Sequence, residues 1–307
     1  MRVPRRYNGS QLPIRRTTIK DFRHTLIGAV GLPIKENPTG VIMEAAFNHL
    51  GLNWRYELFE IGPASLEEAL KAFKLLGFHG LNFTVPHKVA VMQYLDDVSP
   101  AARMIGAVNT VVREGDTFIG ENTDGKGFIR SLKVDAGIQP EGMNVTILGA
   151  GGAARAIAFE LALAGVASIT LANRTVDRAA SLAKDIEEAT QCQVTPQSLG
   201  AGDYIVPPMT DILIQATSIG LHPDPGTPAV NFDSISDAMT VCDVIPNPPQ
   251  TPFLQRAALR GASTIDGLGM LVHQAAFAIE AWAGVTPPVD EMRSAVEQAL
   301  HLREETD

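Results

Sequence analysis

Cysteine is scarce, with Cys192 and Cys242 the only two in 307 residues. Two thiols cannot build a disulfide scaffold, and these two lack the paired spacing of a thiolate metal site. Such low usage fits a chain that works in a reducing cytoplasm. Long hydrophobic runs are missing too: no window of about 18 apolar residues occurs, so neither a membrane span nor a membrane partner is expected. Positive charge is in deficit, with 25 Lys and Arg against 34 Asp and Glu and a formal net charge of −9. That balance argues against nucleic acid as the main partner. Hydrophobic residues nevertheless make up 45% of the chain, which excludes a disordered or fibrous protein. At roughly 100–200 residues per domain, the length predicts two domains or one large one.

The basic residues gather at the start. Arg2, Arg5, Arg6, Arg15, Arg16, Lys20 and Arg23 face a single acid, Asp21. No apolar stretch of a secretory signal follows, so residues 1–24 are expected to be a solvated extension.

Beyond it, strand and helix patterns alternate. Thr25–Val30, Trp54–Ile61 and Gly80–Val85 read as strands, with helices over Val41–Leu50 and Leu66–Leu76. The pattern restarts with strands at Asn144–Leu148, Ser168–Ala172, Asp211–Ala216, Val241–Ile245 and Ser263–Ile265. Helices are expected to about Ala164 and over Arg178–Ala189, and two more over Met270–Trp282 and Val289–Leu302. Alternation of this kind predicts an α/β layer fold with mostly parallel sheet. The last two helices have no obvious partner by pattern alone.

Gly149-Ala150-Gly151-Gly152-Ala153-Ala154 follows a predicted strand and opens a predicted helix. The first glycine permits the tight turn, and the second lets backbone N–H groups approach a pyrophosphate. The helix N-terminus adds partial positive charge for the phosphates. At the end of the next strand, NAD sites usually place an acid on the ribose 2′-hydroxyl. This chain has Asn173-Arg174-Thr175 and then Arg178, with no acid before Asp177. Two guanidinium forks and a hydroxyl suit a 2′-phosphate, so the expected cofactor is NADP.

Three further segments carry polar residues where a plain strand end would not need them. They are Gly77-Phe78-His79-Gly80-Leu81-Asn82-Phe83-Thr84-Val85-Pro86-His87-Lys88, Ile105-Gly106-Ala107-Val108-Asn109-Thr110, and Gly120-Glu121-Asn122-Thr123-Asp124-Gly125. Each alone is compatible with turn chemistry. Together, and in this order, they resemble the shikimate/quinate dehydrogenase family. The nucleotide turn, Asn173-Arg174-Thr175, Ala216-Thr217-Ser218-Ile219-Gly220 and Asp266-Gly267-Leu268-Gly269-Met270-Leu271-Val272-His273-Gln274 match it as well. The resemblance covers about residues 26–290.

The resemblance implies an N-terminal α/β substrate domain plus a Rossmann-type nucleotide domain, with the C-terminal helices returning to the former. Its boundaries would be 25–124 with 265–307, and 125–264. It implies reversible hydride transfer between a ring alcohol or ketone and NADP. Lys88 and Asp124 match the catalytic pair, since a lysine held by a carboxylate can take or return the hydroxyl proton. Asn82, Thr84, Asn109, Thr123 and Gln274 match positions that bind ring hydroxyls. Cofactor contacts would come from Gly149, Ala150, Gly151, Gly152, Ala153, Asn173, Arg174, Thr175, Arg178, Thr217, Ser218, Val244 and Gly267. No metal is expected. His79, His87 and His273 read as cleft-wall or surface residues, Met270 as near the nicotinamide or core, and Trp54 and Trp282 as packing residues. The protein would act on a small molecule as a monomer or homodimer.

The sequence departs from the family at one place. Ordinary members carry S-x-S-P after the first strand, and both hydroxyls bind the substrate carboxylate. Here Asn37 and Thr39 take the serine positions and Gly40 the proline. A family tyrosine reaching the same carboxylate falls at Pro246, which has no side-chain donor. Glu36 would repel a carboxylate and Lys35 attract one. The expectation is a divergent member with retained redox chemistry and altered substrate choice: shikimate, quinate, or a related polyhydroxylated or amino-substituted ring. The competing readings are a quinate dehydrogenase using NAD and a ligand sensor without turnover.

Overall fold

A computed structural model describes residues 22–200 and 203–304; the basic extension, up to residue 21, lies outside them. The N-terminal unit contains β1 (Thr25–Gly31), α1 (Thr39–His49), β2 (Trp54–Glu60), α2 (Leu66–Leu75), β3 (Gly80–Phe83), β4 (Asp97–Val98), α3 (Pro100–Ile105), β5 (Thr110–Glu114), β6 (Thr117–Glu121) and α4 (Asp124–Arg130). The central unit contains β7 (Asn144–Leu148), α5 (Gly152–Leu163), β8 (Ser168–Asn173), α6 (Val176–Thr190), β9 (Val194–Ser198), β10 (Ile212–Gln215), β11 (Thr240–Asp243), α7 (Pro252–Leu259) and β12 (Ser263–Ile265). Two helices close the described chain, α8 (Leu268–Ala283) and α9 (Val289–Glu304).

The strands form two six-stranded sheets, ordered β2-β1-β3-β5-β6-β4 and β12-β11-β10-β7-β8-β9. The second is parallel throughout. Its order reverses between β7 and β10, as in a Rossmann sheet, so a crevice opens outside the carboxyl ends of those strands. The first sheet is mixed. β1, β2 and β3 run parallel, but β3–β5 and β5–β6 are antiparallel pairs.

Residue chemistry explains the layers. β7 (Asn144–Leu148) is buried after its first residue, as a central parallel strand covered on both faces must be. Helix α5 is apolar around most of its circumference because it lies between the parallel sheet and α4; Ala154, Ile157, Ala158, Phe159 and Leu161 are all fully buried. Helix α8 returns to the N-terminal unit. Val272, Ala275, Ala276, Ile279 and Trp282 pack into one core with Ile27, Ile42, Met43 and Phe47, joined by Met292 and Val296 of α9. That gives the two C-terminal helices their partner.

The chain crosses between the sheets along α4 and α8, which pack side by side, with α4 also against α5. Glycine makes this possible. A Cβ at Gly125 would sit 2.3 Å from the carbonyl oxygen of Ala156 in α5, and one at Gly127 would sit 2.7 Å from the nitrogen of Gln274 in α8. The backbone approach there excludes any side chain.

Candidate active site

A cavity of about 500 Å³ lies between the two sheets. Its walls come from strand ends: the loop after β1, the segment Asn82–Lys88 after β3, the loops after β10 and β11, and one face of α8. All of these lie at the carboxyl end of a parallel strand or on the returning helix, so the sheets set their positions.

Lys88 and Asp124 meet in this cavity. Lys88 Nζ donates to Asp124 Oδ2 at 2.6 Å, with side chains 19% and 7% exposed. A carboxylate so buried needs more than one partner. Its Oδ1 accepts from Asn109 Nδ2 at 2.8 Å, and its backbone N–H donates to Asn122 Oδ1 at 3.1 Å. Asn122 is itself anchored by its Nδ2 to the Ala107 carbonyl at 3.0 Å. Lys88 is fixed by its own carbonyl, which accepts from the Val108 N–H at 2.7 Å.

Asn109 is the centre of a wider net. Besides Asp124, its Nδ2 donates to Thr123 Oγ1 at 3.0 Å and reaches Gln274 Oε1 at 3.5 Å. Its Oδ1 accepts from the Thr123 N–H at 2.7 Å. Asn82 Nδ2 donates to the Asn109 carbonyl at 3.2 Å and to Thr110 Oγ1 at 3.1 Å. Gln274 Nε2 donates to the Leu271 carbonyl at 3.0 Å, one turn back on α8.

The structure therefore brings Asn82, Thr84, Asn109 and Gln274 to the cavity beside Lys88 and Asp124. Thr123 is placed differently. It is buried behind Asn109 and supports that side chain rather than lining the cavity.

Sequence reasoning missed Tyr56. Its hydroxyl donates to Asn82 Oδ1 at 2.7 Å, and its ring lines the cavity. Burial pushes this phenol well above its usual range. The alternation in β2 held the signal: Tyr56 is a polar-tipped residue on the inward face, between exposed Arg55 and Glu57.

The other end of the cavity is lined by Lys35, Glu36, Asn37, Thr39, His222 and Pro246. Asn37 Oδ1 accepts the Thr39 N–H at 2.9 Å at the start of α1, so its carboxamide oxygen is engaged in the turn. Thr39 is buried to 5% exposure and lines the cavity.

The nucleotide turn follows β7. Gly149 has φ +113°, and a Cβ there would lie 2.8 Å from the Ala216 carbonyl oxygen, so only glycine fits. A Cβ at Gly151 would meet nothing within 4 Å. The backbone there borders open space, as a phosphate cradle requires. Helix α5 begins without a side-chain cap, which leaves its first N–H groups for a ligand. Ala153, Val244 and Gly267 line the cavity from this side. At the end of β8, Asn173 Nδ2 donates to the Thr175 carbonyl at 2.8 Å and shapes the loop. Arg174 and Arg178 are exposed, and among the described residues neither is held in an ion pair. Thr217 N–H donates to Gln215 Oε1 and Ser218 is exposed beyond it. These residues fit a dinucleotide with a 2′-phosphate. Beneath the loop after β11, Asp243 is buried and its carboxyl is pushed up to about 6 by that burial, against bonds from Thr251, the Ile245 N–H and Gln215.

The histidines need a correction. His87 is fully buried, with Nε2 2.7 Å from the Ile61 carbonyl. His273 is 2% exposed and faces Asp135 at 3.1 Å. Both are core residues rather than surface ones. Among the described residues no group of three or more His, Cys, Asp or Glu is placed to hold a metal ion.

Family models match three stretches of the chain: the shikimate dehydrogenase substrate binding domain over residues 29–111, shikimate/quinate 5-dehydrogenase over 134–220, and the shikimate 5′-dehydrogenase C-terminal domain over 267–297. A shikimate dehydrogenase (NADP(+)) of Desulforamulus reducens is 42% identical over 277 residues, covering 89% of this chain and 94% of the relative. The chain belongs to the shikimate dehydrogenase family. Members are oxidoreductases, and this chain is one.

Two solved structures bear on the site. A ligand-free 5-ketofructose reductase of Gluconobacter sp. strain CHM43 is 45% identical, with a TM-score of 0.84, covering 91% of this chain and all of that one. A shikimate dehydrogenase in complex with NADP+ is 38% identical, also with a TM-score of 0.84, covering 90% and 96%. Among the described residues no helix is long and apolar enough to cross a membrane.

Proposed function

We propose that the chain is an NADP-dependent dehydrogenase that interconverts a ketone and a secondary alcohol on a small polyhydroxylated ring bearing no carboxylate. The reading divides the chain at the boundaries 25–124 with 265–307, and 125–264. NADP supplies or accepts the hydride at its nicotinamide when bound. Gly149, Ala150, Gly151, Gly152 and Ala153 would hold its pyrophosphate, Arg174 and Arg178 with Asn173 and Thr175 its 2′-phosphate, and Thr217, Ser218, Val244 and Gly267 its nicotinamide side.

The chain's residues manage the proton and the geometry. Lys88 delivers a proton to the carbonyl oxygen in reduction and takes it back in oxidation. Asp124 holds the ammonium on one oxygen and leaves the other to Asn109, so its charge stays oriented. General acid–base help of this sort contributes roughly 10²–10⁴-fold. Asn82, Thr84, Asn109 and Gln274 meet the neighbouring ring hydroxyls. An intact lysine–aspartate pair in the cavity favours turnover over a ligand-sensing role.

One observation carries the choice of substrate. Where a carboxylate grip would be needed, the cavity presents Pro246, which carries no side-chain donor, and the Glu36 carboxylate. The 45% identity with a 5-ketofructose reductase points the same way. A second reading, shikimate itself, is favoured by Asn82, Thr84, Asn109 and Gln274 on the cavity wall and by the curated relatives. The two unpaired cysteines suit a cytosolic location.

A steady-state panel separates the readings: 5-ketofructose with NADPH and NADH, and shikimate and quinate with NADP+ and NAD+. The expected result is NADPH-dependent reduction of 5-ketofructose, with kcat/KM on the two acids lower by at least about 10-fold. Loss of one hydrogen bond to a charged group, about 1.5–3 kcal/mol, gives a penalty of that size. Efficient shikimate turnover without 5-ketofructose reduction would establish the second reading instead.

A further inference from the structure

Glu36 and His222 face each other across the mouth of the cavity. Glu36 lies in the loop after β1, and His222 lies in the loop after β10, so the pair spans the two sheets. Glu36 Oε2 and His222 Nε2 are 4.0 Å apart, and their side chains are 44% and 49% exposed. Both are held from behind. The His222 backbone N–H donates to the Asn247 carbonyl at 3.2 Å, which ties it to the loop carrying Pro246. The loop of Glu36 is fixed by the Asn37 N–H on the Ile34 carbonyl at 2.9 Å and by the Ile34 N–H on Glu60 Oε1 at 3.3 Å.

We propose that Glu36, set in place by His222, is a specificity-determining residue that accepts a substrate hydroxyl and repels substrates bearing a ring carboxylate. This rests on the uncharged-ring reading above and names the residue that enforces it. The chemistry is one of charge sign. A carboxylate at the rim of the cavity opposes a second anion brought within a few ångströms, and the same oxygen is a strong acceptor for a neutral O–H. Pro246 withholds a grip from a carboxylate; Glu36 goes further and rejects it, which is how a site built on an acid-binding framework avoids acids. Lys35 stands next to it with the opposite charge, so the rejection depends on which side chain the ligand meets. Lys35 is exposed, and among the described residues it enters no hydrogen bond or ion pair that would aim it inward. Glu36 faces a partner on the far wall.

The test uses the full chain with NADP(H) and compares Glu36→Gln, Lys35→Gln and His222→Ala on shikimate and 5-ketofructose. Glu36→Gln keeps the shape and removes the charge. It is expected to raise kcat/KM on shikimate about 10-fold, mainly through KM, and to lower kcat/KM on 5-ketofructose several-fold. A structural defect would lower both. His222→Ala is expected to shift the ratio in the same direction by less, and Lys35→Gln to leave both within about two-fold. If the Glu36→Gln ratio stays within two-fold of wild type while 5-ketofructose is reduced, the role of Glu36 falls and the uncharged-ring reading stands. If Lys35→Gln costs shikimate more than 10-fold, the carboxylate docks at Lys35 and the proposal falls. If wild type reduces no uncharged ketone, both fall together.

Discussion

At one end of the cavity Lys88, Asp124, Asn109, Asn82 and Gln274 hold one another in a continuous hydrogen-bonded net. At the other end Glu36, Asn37, Thr39, His222 and Pro246 share the wall with a single short bond between Asn37 and Thr39, and Glu36 and His222 face each other at 4.0 Å. The first arrangement is costly to change, because each member satisfies another and a deletion leaves a buried polar group unpaired. The second is a set of loop residues whose replacement disturbs little else. Chemistry and choice of substrate are thus built on parts of unequal tolerance, and a family can vary the second while keeping the first.

The largest effect should come from breaking the netted end. Lys88→Met removes the proton donor and leaves Asp124 with one partner fewer. The expected loss in kcat is about 10²–10⁴-fold on any substrate, with KM changed much less. Residual turnover within 10-fold of wild type would take the proton-handling role away from Lys88.

A smaller effect should follow from rebuilding the loop end. The triple change Asn37→Ser, Thr39→Ser and Pro246→Tyr puts a hydroxyl donor at each of the three positions, two of them new. Shikimate kcat/KM should rise about 10–100-fold, the worth of one charged hydrogen bond, while 5-ketofructose gains nothing. Equal gains on both would mean that the loop acts on dynamics or folding rather than on the carboxylate.

The smallest effect on the chemistry is expected at Asp243, which touches neither end directly and instead braces the loop carrying Pro246. Its carboxyl is pushed from an ordinary 3.8 up to about 6, so between those values the folded chain keeps a proton that the unfolded chain releases. More protons bound in the folded state means that this group's contribution falls as pH rises through that window. Asp243→Asn should therefore gain stability relative to wild type from about pH 4 to about pH 6, by at most about 3 kcal/mol, and stay level above. Urea unfolding of the two proteins at several pH values measures this, and parallel curves would contradict it.

Much of this was legible before the fold was known, for identifiable reasons. β7 and β12 have the bounds read from the sequence, each one polar residue followed by an apolar or β-branched run. The strand-turn-helix context of Gly149–Ala154 marked the nucleotide side. What stayed hidden were elements without their own pattern. The β5–β6 hairpin turns at Gly115-Asp116 between strands of mixed polarity, β9 carries Pro196 at the sheet edge, and α7 spans eight residues. His87 and His273 read as cleft-wall or surface residues because burial of a histidine beside a carbonyl or a carboxylate leaves no local mark. The contact of Lys88 with Asp124 spans 36 positions, and only the family resemblance linked them.

The two crossover helices have a consequence for motion. Asp124 opens α4, Gln274 sits midway along α8, and the glycine contacts at Gly125 and Gly127 lock α4 to α5 and to α8. Any swing that widens or narrows the cleft must turn about this seam, where displacements are least. Asp124 rides on the axle, with Lys88 bonded to it, while Glu36 and His222 sit at the jaw tips, away from the seam. Opening for exchange of ligands would part the jaws without dismantling the machinery at the fulcrum.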